Sequence, residues 1–113
     1  MTRALLLLLL SATPVLAFER VTERNAFLGL VEGRTLTSLG VSLQVLPDGQ
    51  IAGRAFGSQV TGTWDWRNGL FCRELVAPTR SFPLNCQVVQ RDGSTLRFIA
   101  DEGQGDRADL RIR

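Results

Sequence analysis

Gly62-Thr63-Trp64-Asp65-Trp66-Arg67-Asn68-Gly69-Leu70-Phe71-Cys72-Arg73 is the stretch on which the fold turns. Before Asn68, apolar and polar residues alternate, the period-two signature of a strand with one buried face. Asn-Gly strongly favours a two-residue hairpin, because both central positions need positive φ. The stretch therefore reads as two antiparallel strands. A two-residue turn sets Trp66 opposite Phe71, Asp65 opposite Cys72 and Trp64 opposite Arg73, so that Arg73 can lie over the Trp64 ring and Cys72 falls on the other face. A three-residue turn with Gly69 in a bulge shifts the register by one and brings Cys72 onto the tryptophan face. The sequence leaves both registers open.

The same period extends in both directions, with turn signals about every ten residues. On the N-terminal side, Val41, Leu43 and Val45 alternate with Ser42 and Gln44; Pro47-Asp48-Gly49 turns the chain, and Ile51, Gly53 and Ala55 continue. On the C-terminal side Leu70 to Val76 returns, Ala77 to Pro83 reads as a looser connection, and Cys86 to Gln90, Leu96 to Ala100 and Ala108 to Ile112 follow. Asp92-Gly93 and the acidic, Gly-rich run Asp101 to Asp106 separate these segments as solvated turns. The pattern predicts an antiparallel meander of about seven or eight strands, which must curl on itself to bury one face and protect its edges. Ahead of it, Thr22 to Gly33 has the marks of a helix, with Thr22 as N-cap, Gly33 as stop and Phe27, Leu30 and Val31 on one face. The expected fold is thus mainly β, a small meander or barrel with one N-terminal helix covering its core.

Residues 1–17 read as an export signal: Arg3, an apolar run from Leu5 to Leu10, and small residues before Phe18. A membrane-spanning helix needs about 20 apolar residues, and Phe18-Glu19-Arg20 ends the run too early. Residues 18–113 are then one small domain, expected in the periplasm or secreted, with no stable membrane insertion after cleavage. Cys72 and Cys86 are the two cysteines, and an even pair in an exported chain predicts a disulfide.

The chain holds no histidine, tyrosine or lysine, so each of its 13 basic residues is an arginine. Without histidine there is no side chain that ordinarily titrates near neutral pH, no Ser-His or Cys-His pair and no ordinary zinc site; without lysine there is no Schiff base. No metal and no cofactor are expected. Once Arg3 leaves with the signal, 12 arginines face 11 acidic residues, which gives nucleic acid little to hold. Asp101 to Asp106 lacks the alternating ligands and closing Glu of a calcium loop. Catalysis would rest on carboxylates such as Asp65 and Glu74, on neighbouring strands, converging in a cleft.

Trp64, Trp66 and Arg73 are the candidate ligand-binding residues, an aromatic platform beside a guanidinium. Trp64-Asp65-Trp66, Phe71-Cys72-Arg73 and Cys86-Gln87, with Pro47-Asp48-Gly49-Gln50-Ile51 and Leu96-Arg97-Phe98, resemble small exported bacterial proteins commonly labelled dihydrodipicolinate reductase. A reductase of that name is similar to a two-domain nucleotide-binding enzyme with a Gly-rich loop, a paired-His segment and a catalytic Lys. This chain has no residues for the last two and no βαβ unit for the first, so the resemblance transfers no catalytic residue. Gly62-Thr63-Trp64 and the small meander are more loosely similar to lipocalin-like and avidin-like barrels, exported protease inhibitors among them. The expectation is a non-enzymatic binding or interaction module that meets a small ligand or an envelope protein. The alternatives are an inhibitor using Phe18 to Glu23 or Ala77 to Pro83, and an envelope enzyme using Asp65 and Glu74.

Overall fold

The computed structural model describes residues 17–113, so the expected export signal lies outside the described residues except for Ala17. From Leu36 onward the chain runs back and forth through β2 (Leu36–Ser38), β3 (Val41–Val45), β4 (Gln50–Ala55), β5 (Ser58–Arg67), β6 (Leu70–Ala77), β7 (Arg80–Asp92), β8 (Thr95–Ile99) and β9 (Arg107–Ile112). Each strand pairs antiparallel with the next, and β9 returns to β2 through Leu36↔Ile112 and Thr37↔Arg111. The result is a closed eight-stranded antiparallel barrel. Closure gives each barrel strand a partner on both sides over at least part of its length, which shortens the open edge available for pairing with other chains.

Two elements precede the barrel, β1 (Glu19–Val21) and α1 (Arg24–Val31). The long β7 exceeds β6 in reach, and β1 fills the remaining edge through Glu19↔Arg91 and Val21↔Val89. Thr22 was expected to cap α1, yet Glu23 occupies that position with no side-chain cap bond. The Thr22 carbonyl instead accepts the Trp66 indole N–H at 2.9 Å, which ties the approach to α1 onto β5. After α1, Gly33 takes φ +73 and redirects the chain toward β2.

Alternation along the strands sends one set of side chains inward. Phe27 and Val31 of α1 are fully buried among them, in a core with Leu36, Trp64, Val89 and Leu96. Phe27 is the centre of an aromatic cluster, with its ring 5.6 Å from Trp64, 5.0 Å from Trp66, 5.1 Å from Phe71 and 6.4 Å from Phe98. The helix thereby closes one end of the barrel. On the outside, Arg97 pairs with Asp109 at 2.8 Å across β8 and β9, and its guanidinium lies 3.8 Å from the Phe18 ring centre. That hydrogen bond holds the Asp109 carboxyl below its ordinary pKa.

Beside the Thr22 cap, two sequence expectations are corrected. The run Asp101 to Asp106 is more than a turn: it holds a second short helical element, α2 (Ala100–Gly103), whose Asp101 and Glu102 take left-handed conformations at φ 55 and 56. The Asn85 side-chain carbonyl accepts the Asp101 backbone N–H at 3.0 Å, a tie between distant segments that local pattern does not reveal. The connection Ala77 to Pro83 is mostly strand, with Ala77↔Arg80 flanking a tight turn at Pro78-Thr79. Its prolines fit because Pro78 sits in that turn and Pro83 in a bulge, where a missing N–H breaks no ladder bond. The N-terminal segment, to which the sequence pattern assigns no strand, supplies β1.

Inward glycines set the curvature. A Cβ on Gly62 would lie 2.2 Å from the Glu74 carbonyl oxygen, and one on Gly53 would lie 2.1 Å from that of Ser42. Backbone, not a flexible side chain, occupies the space. Gly62→Ala is expected to cost about 1–3 kcal/mol and lower the melting temperature by roughly 5–15 °C. Gly29→Ala, on the exposed side of α1 with nothing within 4 Å, should raise it slightly. Thermal melts of the two variants in parallel check both signs.

Candidate ligand cavity

The end opposite α1 is open. Four connections surround it: Leu39-Gly40, Phe56-Gly57, Pro78-Thr79 and the α2 loop. Behind them lies a cavity of about 490 Å³. Its wall is mostly apolar, from Val41 and Leu43 of β3 through Val60 of β5 and Leu75 of β6 to Phe82 of β7 and Leu110 of β9. Phe71 and Phe98 line its depth and also touch Phe27, so the plug and the cavity share a floor. A space of this size falls within the about 300–1,000 Å³ of small-molecule sites.

Arg73 of β6 and Gln87 of β7 are polar residues of this lining next to Phe71, and Ser38, Asp106, Arg107 and Asp109 also line it, from β2 and from the β8–β9 connection into β9. Gln87 is buried, and its amide N–H donates to the Asn85 side-chain carbonyl at 3.1 Å. Asn85 in turn donates to the Asp101 carboxylate at 2.7 Å, so a hydrogen-bonded line runs from the cavity to the loop at its mouth. Arg73 is half-buried and donates one N–H to the Pro83 carbonyl at 3.0 Å, the carbonyl exposed by the β7 bulge. Among the described residues the ion pairs are Arg67–Asp65 and Arg97–Asp109, which leaves Arg73 without a carboxylate. Burial pushes its pKa down, the direction for a cation short of water. The guanidinium keeps its charge at neutral pH all the same.

The structure settles the hairpin register. Asn68 and Gly69 take φ 51 and 76, a two-residue turn, with Trp66↔Phe71, Asp65↔Cys72 and Trp64↔Arg73. Cys72 faces its disulfide partner Cys86 directly across β6 and β7, on the face opposite Phe71 and Arg73. The three candidate residues separate in their surroundings. Trp64 is buried and donates its indole N–H to the Leu46 carbonyl at 2.8 Å, while the cation over its ring is Arg24 of α1, at 5.2 Å, in place of the expected Arg73. Trp66 stacks on Phe27. Both tryptophans form the socket of the helix and do not line the cavity; Arg73 does.

Gln87 and Phe82 escaped the sequence reading because the bulge at Pro83 changes which residues of β7 face inward. A proline within an apolar strand was the available signal. Asp65 and Glu74 are exposed on the outer face, where Asp65 holds Arg67 at 3.0 Å, and neither lines the cavity. Of the two segments considered for an inhibitor, Glu19 to Val21 is held as β1 and Ala77 to Pro83 is built into β6 and β7. Among the described residues no cysteine is free, no helix is long and apolar enough to cross a membrane, and no group of three metal-ligating side chains converges. Comparison of the chain with family models, curated proteins and solved structures finds no match.

Proposed function

We propose that this protein is a non-enzymatic binding module of the periplasm or the extracellular space, which holds a small, mainly apolar molecule inside its barrel. The observation that carries the reading is the cavity of about 490 Å³, apolar along its wall, stoppered by α1 at one end and open at the other. Protein interiors ordinarily pack to the density of organic crystals, and an unfilled apolar void costs stability. Eight strands are also the size at which a closed barrel either fills itself with side chains or holds one small ligand. Here the large aromatics fill one end only. The looser likeness to lipocalin-like and avidin-like barrels points the same way. The disulfide and the expected export signal favour an oxidising compartment.

The test uses a neutral, polarity-sensitive dye, N-phenyl-1-naphthylamine, titrated into the oxidised protein. Saturable enhancement at one dye per chain is expected. Ala55→Trp, placing an indole where Ala55 lines the cavity near its mouth, should weaken it by about tenfold or more with the melting temperature little changed. A native protein that shows no saturable signal, or an Ala55→Trp variant that binds the dye as well as the native chain, would overturn the reading.

A further inference from the structure

Resting on that reading, we infer that the ligand is a single-chain amphiphile with one anionic head, a carboxylate or its equivalent, whose counter-ion is Arg73. The inference begins from an imbalance. Arg73 carries five N–H donors, of which the Pro83 carbonyl takes one, and none of the described acidic side chains lies within ion-pairing distance. A cation held half-buried beside apolar walls is costly unless an anion or hydrogen-bond acceptors complete it. The residues beside it on the wall, Leu75 of its own strand and Phe82 of the next, offer no side-chain acceptor. Of the two carboxylates that line the same cavity, Asp109 is taken by Arg97 and Asp106 belongs to the β8–β9 connection at the mouth, neither in ion-pairing distance of Arg73. A carboxylate matches the guanidinium fork, with two parallel N–H···O bonds, and the Gln87 amide stands on the adjacent strand as a second polar contact.

The position of Arg73 also orients the ligand. One inward step toward α1 from Arg73 is Phe71, 4% exposed and packed on Phe27; one step toward the mouth is Leu75, half-buried and facing Phe82. Free volume therefore lies on the mouth side, so the head goes inward to Arg73 and the apolar tail runs outward. This gives a role to the rim. Phe56 is 79% exposed, lines the cavity mouth, and sits at φ 51, a left-handed conformation that a bulky aromatic adopts at a cost where Asn or Gly would fit freely. Its ring packs over Gly40, where a Cβ would approach it to 2.6 Å, and neighbouring Leu39 is 93% exposed. An exposed aromatic held in that conformation at a cavity mouth is placed to cover the emerging end of a tail.

The experiment compares dodecanoate with its uncharged methyl ester as competitors of the bound dye, using the native protein, Arg73→Gln, and Arg80→Gln. Arg80 is exposed and lies over the Phe82 ring at 4.7 Å, so it tests a charge at the mouth. The native protein should prefer the acid by about tenfold to hundredfold. Arg73→Gln should remove the preference while binding the ester within about threefold of native, and Arg80→Gln should keep it. Acidification through the carboxylate range, about pH 4 for a model side-chain acid, should erase the preference in the native protein without a substitution. Equal affinities for acid and ester in the native protein, an equal loss of both in Arg73→Gln, or loss of the preference in Arg80→Gln would each overturn the assignment to Arg73. In those cases a saturable dye signal leaves the cavity reading standing; its absence removes both. Should Arg73→Gln fail to fold, the native acid-ester comparison and its pH dependence still decide.

Discussion

Phe27→Ala is expected to remove about 3–5 kcal/mol of stability, enough to leave much of the protein unfolded at physiological temperature. Phe27 has no exposed surface and touches four other aromatic rings, two on β5 and one each on β6 and β8. Truncation forfeits the transfer of the ring from water and leaves a hole that fixed strands on every side cannot collapse to fill. The loss would also open the closed end of a barrel already open at the other. In a domain of this size, which buries only about 60–65% of the surface of its unfolded chain, no second core compensates. Urea denaturation followed by tryptophan emission checks the result directly, because Trp64 and Trp66 both lie against Phe27. A red-shifted emission in the folded baseline with a large fall in midpoint is the expected outcome. A loss below about 1 kcal/mol would mean that α1 does not hold the barrel shut.

Much of this architecture is legible in the chain because its information is local. Period two from Val41 to Ile112, interrupted by Pro47-Asp48-Gly49, Asn68-Gly69 and Asp92-Gly93, places most hairpins of the barrel. Two cysteines in a chain whose first residues read as an export signal predict a disulfide, and Cys72 and Cys86 form it. The features that escaped depend on distant parts of the molecule. Closure by Leu36↔Ile112 joins the two ends of the meander and has no local signal. Strand β1 has only three residues, two of them exposed, and forms because β7 offers it an unpaired edge.

The site was half legible for a related reason. Alternation puts Trp64 and Trp66 on one face, and Arg73 joins them in the two-residue register that the structure adopts, but neither register tells which part of that face the returning helix occupies. Once α1 takes the tryptophans, only Arg73 is left for a ligand, and its companion Gln87 faces inward only because a bulge has shifted the strand. Phe56 is invisible for the opposite reason: its left-handed turn uses a residue that turn chemistry disfavours.

Replacing both cysteines by alanine is expected to cost about 3 kcal/mol, or a fall of roughly 10–20 °C in melting temperature. Cys72 and Cys86 are separated by 14 residues, a loop length for which the chain-entropy model gives about that value. Their placement argues that native-state contacts add to it. The β6–β7 ladder is broken between Arg73 and Leu75, where β7 carries its extra residue, and the disulfide joins the strands one pair away, at Cys72↔Cys86, with Arg73↔Asn85 between it and the break. It therefore clamps the hairpin close to where hydrogen bonding is thinnest, one residue from Arg73 and Gln87. Alanine is the instructive replacement, since Cys72 is 1% exposed and a serine hydroxyl there would add the separate cost of an unpaired polar group. Reduction of the native protein should reproduce the shift, and the two melts together exclude a packing defect as its source. A double variant within about 0.5 kcal/mol of native would show that the open hairpin keeps its structure unaided. The clamp would then be redundant to the fold, and the ordering of Arg73 would have to come from the Pro83 carbonyl alone.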